Sequence, residues 1–167
     1  MVSLLNFSIP EIFNQADFMV DRHIREGRAK NTAIHYRDEK ITYEELSRMV
    51  NKCGNALKGL GVEIENRVLM VLSDCPEFFY TYLGAMKIGA IPIPVNIMAQ
   101  PRDYEYFLDD SRATTLVIGD IFFKNLEHII KDRKYLKRII VVGDKIPGTF
   151  NFDEIISTAS PILKTEE

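Results

Sequence analysis

Few residues in this 167-residue chain have the type and spacing that chemistry requires. A zinc site needs clustered His and Cys ligands, whereas His23, His35 and His128 fall on three separate predicted elements. Cys53 and Cys75 have neither CxxC spacing nor the density of a disulfide framework. Cys53 lies on an apolar helical stripe and reads as core. Cys75 precedes a helix start, where a thiol pKa can fall and a thiolate react, but no base accompanies it in sequence. His23, beside an apolar stripe, reads as a satisfied, half-buried side chain rather than a base.

A phosphate cradle needs closely spaced glycines ahead of a helix, so that backbone N–H groups can approach the anion. Gly59-Leu60-Gly61 is followed by Ile64 where a dinucleotide fingerprint wants glycine. Gly54 and Gly59 have the spacing of a P-loop, but Leu60 stands where the lysine should be, and Gly84 and Gly89 fail in the same way at Ala90. All of these read as packing or helix-end glycines. The paired acids Asp109-Asp110 and Glu44-Glu45 sit on predicted helix faces as solvated charge. Ser73, Asn96, Asp120 and Asp144 are the polar residues at strand ends, where open α/β sheets bind ligands. Such residues are more often helix caps or turn formers, and that reading is preferred for all four.

The elements that must position these residues are organised around Arg67–Asn96, which reads as strand, helix, strand. Arg67–Leu72 is an apolar run closed by Ser73-Asp74-Cys75-Pro76, with Pro76 suited to the first helical position and Glu77 to the positive end of the helix dipole. Phe78, Phe79, Tyr82, Leu83 and Met86 recur at helical spacing, and Tyr80, Ala85 and Ile88 fill the other side. A helix this apolar all round expects cover on more than one face. Gly89 ends it, and Ala90–Val95 follows as a strand in which Pro92 and Pro94 remove two N–H groups on one side, predicting a sheet edge.

Upstream, Ser8 caps a predicted helix with Pro10 and Glu11 at its start and Ile12, Phe13, Ala16, Met19, Val20 and His23 as its stripe. Thr32–Tyr36 and Lys40–Thr42 form a hairpin, and Thr42 with Glu45 makes a capping box for a helix carrying Leu46, Met49, Val50, Cys53, Leu57 and Leu60. Downstream come a helix at 102–112, a strand at Thr114–Ile118, a helix at 121–135, a strand at Arg138–Val142 and a turn at Gly143–Gly148; the pattern then fades. Ile118-Gly119-Asp120 and Val142-Gly143-Asp144 repeat one turn chemistry. The predicted class is α/β, a doubly wound, mostly parallel sheet with helices on both faces and a small N-terminal β-hairpin. The expected organisation is a lead-in and helix at 1–30, a hairpin at 31–42, an α/β core at 43–150 and a polar tail at 151–167.

Hydrophobic content of 46% and charged content of 27% are ordinary for a globular domain, and a net charge of −3 gives no reason to expect nucleic acid or an anionic membrane. The start lacks the pattern of a signal peptide, no apolar run approaches the ~18 residues of a membrane span, and a cytoplasmic setting is expected.

Ile41-Thr42-Tyr43-Glu44-Glu45-Leu46 resembles a signature near the start of the adenylate-forming acyl-CoA synthetases. Met86-Lys87-Ile88-Gly89-Ala90-Ile91-Pro92-Ile93-Pro94-Val95-Asn96 is similar to their second one, a Lys-x-Gly-Ala helix end running into a proline-containing strand. Asn66-Arg67-Val68 and Asp74-Cys75-Pro76-Glu77-Phe78 fall between them at the expected places. The run from Phe13 to His23 resembles the opening of benzoate-CoA ligases, and Tyr104–Arg112 is in their style. The resemblance covers nearly the whole chain.

It implies a two-step reaction. A carboxylate attacks the α-phosphate of ATP, giving an acyl-adenylate and pyrophosphate, and the CoA thiol then displaces AMP. ATP, Mg²⁺ and CoA are the implied cofactors of the parent enzyme, and none is expected to bind tightly to this chain. The family's phosphate loop, nucleotide motif and C-terminal lysine lie beyond the segment that Lys164-Thr165-Glu166-Glu167 reaches. No catalytic, cofactor-binding or metal residue is therefore assigned. The resemblance makes the chain the N-terminal portion of an AMP-forming acid–CoA ligase, inactive by itself. Its expected partner is the rest of the ligase, or a second copy through the Phe78–Met86 helix. The rival readings are a non-catalytic docking or regulatory module of the same fold and a small flavodoxin-like nucleotide-binding protein.

Overall fold

The computed structural model describes residues 10–131 and 133–166; the expected cap Ser8 lies outside them. Near the amino terminus, the Asn14 side-chain oxygen accepts the Ala16 amide at 3.0 Å, and a π-helical turn, Asp17–Asp21, runs into Arg22–Arg25 (together α1). The helix thus starts later than the sequence predicts. Ile12 and Phe13 therefore precede the helix and are exposed, and the wider π turn buries Val20 while leaving Met19 exposed. The chain leaves α1 through Glu26-Gly27, and β1 (Thr32–Tyr36) pairs antiparallel with β2 (Glu39–Thr42) as the predicted hairpin.

Helix α2 (Tyr43–Gly59) starts in a capping box: the Glu45 amide donates to the Thr42 hydroxyl, and the Glu45 carboxylate accepts the Thr42 amide. The pairing satisfies two otherwise orphaned donors. Thr42→Ala is expected to lower the free energy of unfolding by about 1 kcal/mol, read as a lower urea midpoint at unchanged slope.

The central unit is β3 (Arg67–Val71), α3 (Pro76–Lys87) and β4 (Ile91–Pro94). It is followed by α4 (Pro101–Ser111), β5 (Thr115–Gly119), α5 (Asp120–Ile130) and β6 (Arg138–Val142). Helix α5 is shorter than predicted because the inward apolar residues end at Ile129 and Ile130 and Lys131 takes an extended conformation. The expected polar tail instead begins with a two-residue strand, β7 (Phe150–Asn151), and a capped helix, α6 (Phe152–Thr158).

All five strands of the main sheet are parallel, in the order β4-β3-β5-β6-β7, the doubly wound 2-1-3-4-5 arrangement. One core layer joins Val68, Met70, Val117 and Ile140 to α2, α3 and α6; the other joins Leu69, Leu116, Ile118 and Val141 to α4 and α5. Strands covered on both faces need continuous apolar runs, and β3 and β5 supply them. Strand β4 is at the edge, as its prolines predict. Ile91 and Val95 donate their amides inward to Asn66 and Met70 at 2.9 and 3.1 Å, which leaves Pro92 and Pro94 on the outer side, where no donor is missed.

Candidate functional site

The switch point of this strand order lies between β3 and β5, and a crevice of about 380 Å³ opens there at the carboxyl ends of the strands. Ser73, Cys75 and Glu77 line it from the β3–α3 turn, Asp120 from the end of β5, Gly143 from β6, and Arg37 from the hairpin turn. Of the four predicted strand-end residues, Ser73 and Asp120 share this crevice. Asp144 touches Asp120 through its amide, and Asn96 is elsewhere, its side-chain oxygen accepting the Met98 amide at 2.9 Å.

The repeated Gly-Asp turns interlock. Asp120 accepts the Ile121 amide at 2.7 Å and the Asp144 amide at 3.1 Å, lying so close to Gly143 that a Cβ there would meet its carboxylate at 2.6 Å. Asn151 donates to the Gly143 carbonyl at 2.9 Å and accepts the Glu154 amide at the start of α6. Asp120 is thus a fastener between strand ends, the cap-and-turn role preferred from sequence.

The crevice does not suit a nucleoside triphosphate. Glu77, Asp120 and Asp153 face it with Arg37 as the only cation among the described lining residues, and the Asp120 carboxylate already takes the amide at the start of α5, where a phosphate would sit. Among the described residues no glycine-rich turn lines it, and no adenylation step follows from these side chains. Among the described residues, no three His, Cys, Asp or Glu side chains are placed to hold a metal ion.

Cys75 keeps an unactivated thiol in spite of the helix terminus beside it. Burial, reinforced by the Glu77 carboxylate, pushes its pKa up to about 11 against the helix end. Iodoacetamide at neutral pH is expected to modify Cys75 roughly a hundredfold more slowly than an unhindered thiol, as measured by mass spectrometry. Cys53 is buried on α2, with its pKa pushed up to about 12 by desolvation, and is core as predicted. His23 stacks on Tyr43 with centroids 4.0 Å apart, and its Nδ1 accepts from Arg28 at 2.9 Å. Gly54 and Gly84 are packing glycines: a Cβ on Gly84 would lie 3.0 Å from both the Gly54 nitrogen and the Val50 oxygen.

Sequence reasoning missed one polar cluster. Lys87, 2% exposed, places its ammonium 2.5 Å from Asp21 and 2.6 Å from the Asn51 side-chain oxygen, while the Ser47 hydroxyl donates to the other Asp21 oxygen at 2.9 Å. A lysine on the inner side of an apolar helix, with an acid on another amphipathic helix, was the available signal. The cluster joins α1, α2 and α3, and its buried ion pair and hydrogen bonds fasten the three helices together.

Comparison with known proteins adds the family. The model of the family described as "AMP-binding enzyme" matches residues 20–160. A 3-hydroxybenzoate–CoA/4-hydroxybenzoate–CoA ligase of Thauera aromatica is 34% identical over 135 residues, covering 81% of this chain and 26% of that protein. A benzoate–CoA ligase of the same organism is 35% identical over 136 residues with the same two coverages. The solved anthranilate CoA ligase AuaEII, in complex with anthranoyl-AMP, superposes with a TM-score of 0.89 at 31% identity, over 95% of this chain and 30% of that one. The chain therefore spans between a quarter and a third of the length of the relatives it matches.

Proposed function

This chain belongs to the AMP-binding enzyme family, and from that membership we propose that it is the N-terminal portion of an AMP-forming ligase joining benzoate or a related aromatic acid to CoA. One observation carries the reading: 95% of the chain follows the fold of an anthranilate CoA ligase while spanning 30% of it. In the complete enzyme the acid would be adenylated by ATP with Mg²⁺ and passed to CoA. The part present here is a scaffold, and it neither adenylates an acid nor holds ATP tightly, in keeping with the excess of carboxylates in its crevice.

The outer face of α3 fits the same reading. Phe79 is 40% exposed, and Phe78, Tyr82 and Met86 are only partly covered, so the helix buries its Tyr80, Leu83 and Ala85 side and offers an aromatic strip to further chain.

Benzoate-dependent ATP–pyrophosphate exchange is the test. The 167-residue chain is expected to give none, whereas a chimaera in which it replaces the matching quarter of the Thauera aromatica benzoate–CoA ligase is expected to exchange. Exchange by the chain alone, or a folded chimaera that binds benzoate and ATP without exchanging, overturns the reading.

A further inference from the structure

After α6 the chain does not trail into solvent. Residues 160–166 run across α2 and α3 with a bend at Pro161 and are held by a row of α2 side chains at positions 51, 55 and 58, one helical ridge. Asn55 donates to the carbonyls of both Ser160 and Ile162 at 2.8 Å, one on each side of the bend. Asn51 donates to the Pro161 carbonyl at 2.9 Å. These amide contacts read backbone and ignore side-chain identity.

Two further contacts set register and direction. Leu163 fills the notch left by Gly54 where α2 meets α3; a Cβ on Gly54 would stand 2.5 Å from its methyl. Glu166 pairs with Lys58 at 2.8 Å, and its amide donates to the Lys87 carbonyl at 2.9 Å.

We propose that this ridge is a binding groove for a peptide with a leucine three residues ahead of a glutamate, and that residues 160–166 occupy it in cis as a clasp that opens while the sheet stays folded. The clasp has the marks of a low-stability segment. Ser160, Pro161 and Lys164 are exposed, Ile162 is 83% exposed, and Leu163 alone inserts between the helices. The bonds that hold it come mostly from side chains on the surface of α2, with Asn14 and the Lys87 carbonyl tying its far end at Glu166, whereas β3 and β5 are sealed in the core. The groove itself belongs to α2 and α3, whose buried faces pack on the sheet in one core layer.

The test uses the full chain with Leu163→Ala and Glu166→Lys, changes confined to the clasp, and measures amide exchange and the binding of a fluorescein-labelled peptide with the natural sequence of residues 159–167. Exchange of the amide at position 166, which donates to the Lys87 carbonyl in the closed segment, is expected to rise at least tenfold over wild type, with 67–71 and 115–119 unchanged. The labelled peptide is expected to bind this variant, to lose binding when Asn55→Ala is added, and not to bind wild type at micromolar levels, where the cis segment competes at a roughly millimolar effective concentration. Exchange that rises equally in clasp and strands makes residues 160–166 an integral part of the core and overturns the proposal. So does an opened clasp whose groove leaves the peptide unbound, or peptide binding indifferent to Asn55→Ala.

Discussion

Lys87→Ala is expected to lower the unfolding free energy by about 3–5 kcal/mol, a large share of the roughly 5–15 kcal/mol that holds a domain of this size. The ammonium is 3% exposed and its partner Asp21 is 18% exposed. Removing the lysine strands a carboxylate beside Ser47, strips Asn51 of its donor and opens a void between three helices. Because Asp21 keeps some contact with water, the loss should fall toward the lower end of that range. Asp21→Asn in the same chain should recover part of it, since the stranded charge is then gone, and Lys87→Met, which keeps most of the volume, should cost less than alanine. Urea unfolding of the four proteins checks the order. Equal losses for methionine and alanine would assign the whole effect to charge and none to the void.

Gly84→Leu is expected to cost about 3 kcal/mol. Its hypothetical Cβ already meets backbone atoms of α2 at 3.0 Å and the Cys53 Cβ at 3.1 Å, and backbone cannot swing aside as a side-chain tip can. Larger groups must pry α2 from α3, and with them the Asn51–Lys87 contact that bridges the same helices. Gly59 is the internal control. Nothing lies within 4 Å of a Cβ there and its φ is not positive, so Gly59→Ala should stabilise by about 0.5–1 kcal/mol through the unfolded chain. A destabilised Gly59→Ala, or a tolerated Gly84→Leu, would contradict this account of the helix contact.

What could be read from the sequence follows the range of the interactions involved. The capping box at Thr42, the proline start of α3 and the proline-marked edge strand are written within a few residues, and each stands where local chemistry puts it. The alternation of apolar runs and amphipathic helices was enough for a doubly wound sheet. Lys87 was not legible as a buried cation because Asp21 is 66 residues away and no local rule joins them. Strand β7 is two residues long and α6 seven, too short for any period to emerge, and Asn151 ties both to the Gly143 turn eight residues earlier. At the candidate crevice, Ser73 and Asp120 were placed correctly, but whether their polar atoms were free for a ligand depended on Asp144 and Gly143, two turns away. Cys75 shows the same limit. Proximity to a helix terminus is visible in sequence, while the desolvation that outweighs it appears only in three dimensions.

The strand order also has a consequence for the chain as it leaves the ribosome. β3 finds its first neighbour in β4 soon after synthesis, but its second, β5, arrives only after α4 has been made. During that interval the nascent sheet has two open flanks. The β4 flank carries prolines in place of outward donors and cannot template a stray strand, so the exposed side of β3 is the one place where a neighbouring nascent chain can add. Polysome crowding should therefore threaten β3 while residues 96–114 are being translated, and the open edge should pass to β5 and then to β6 as each strand is added.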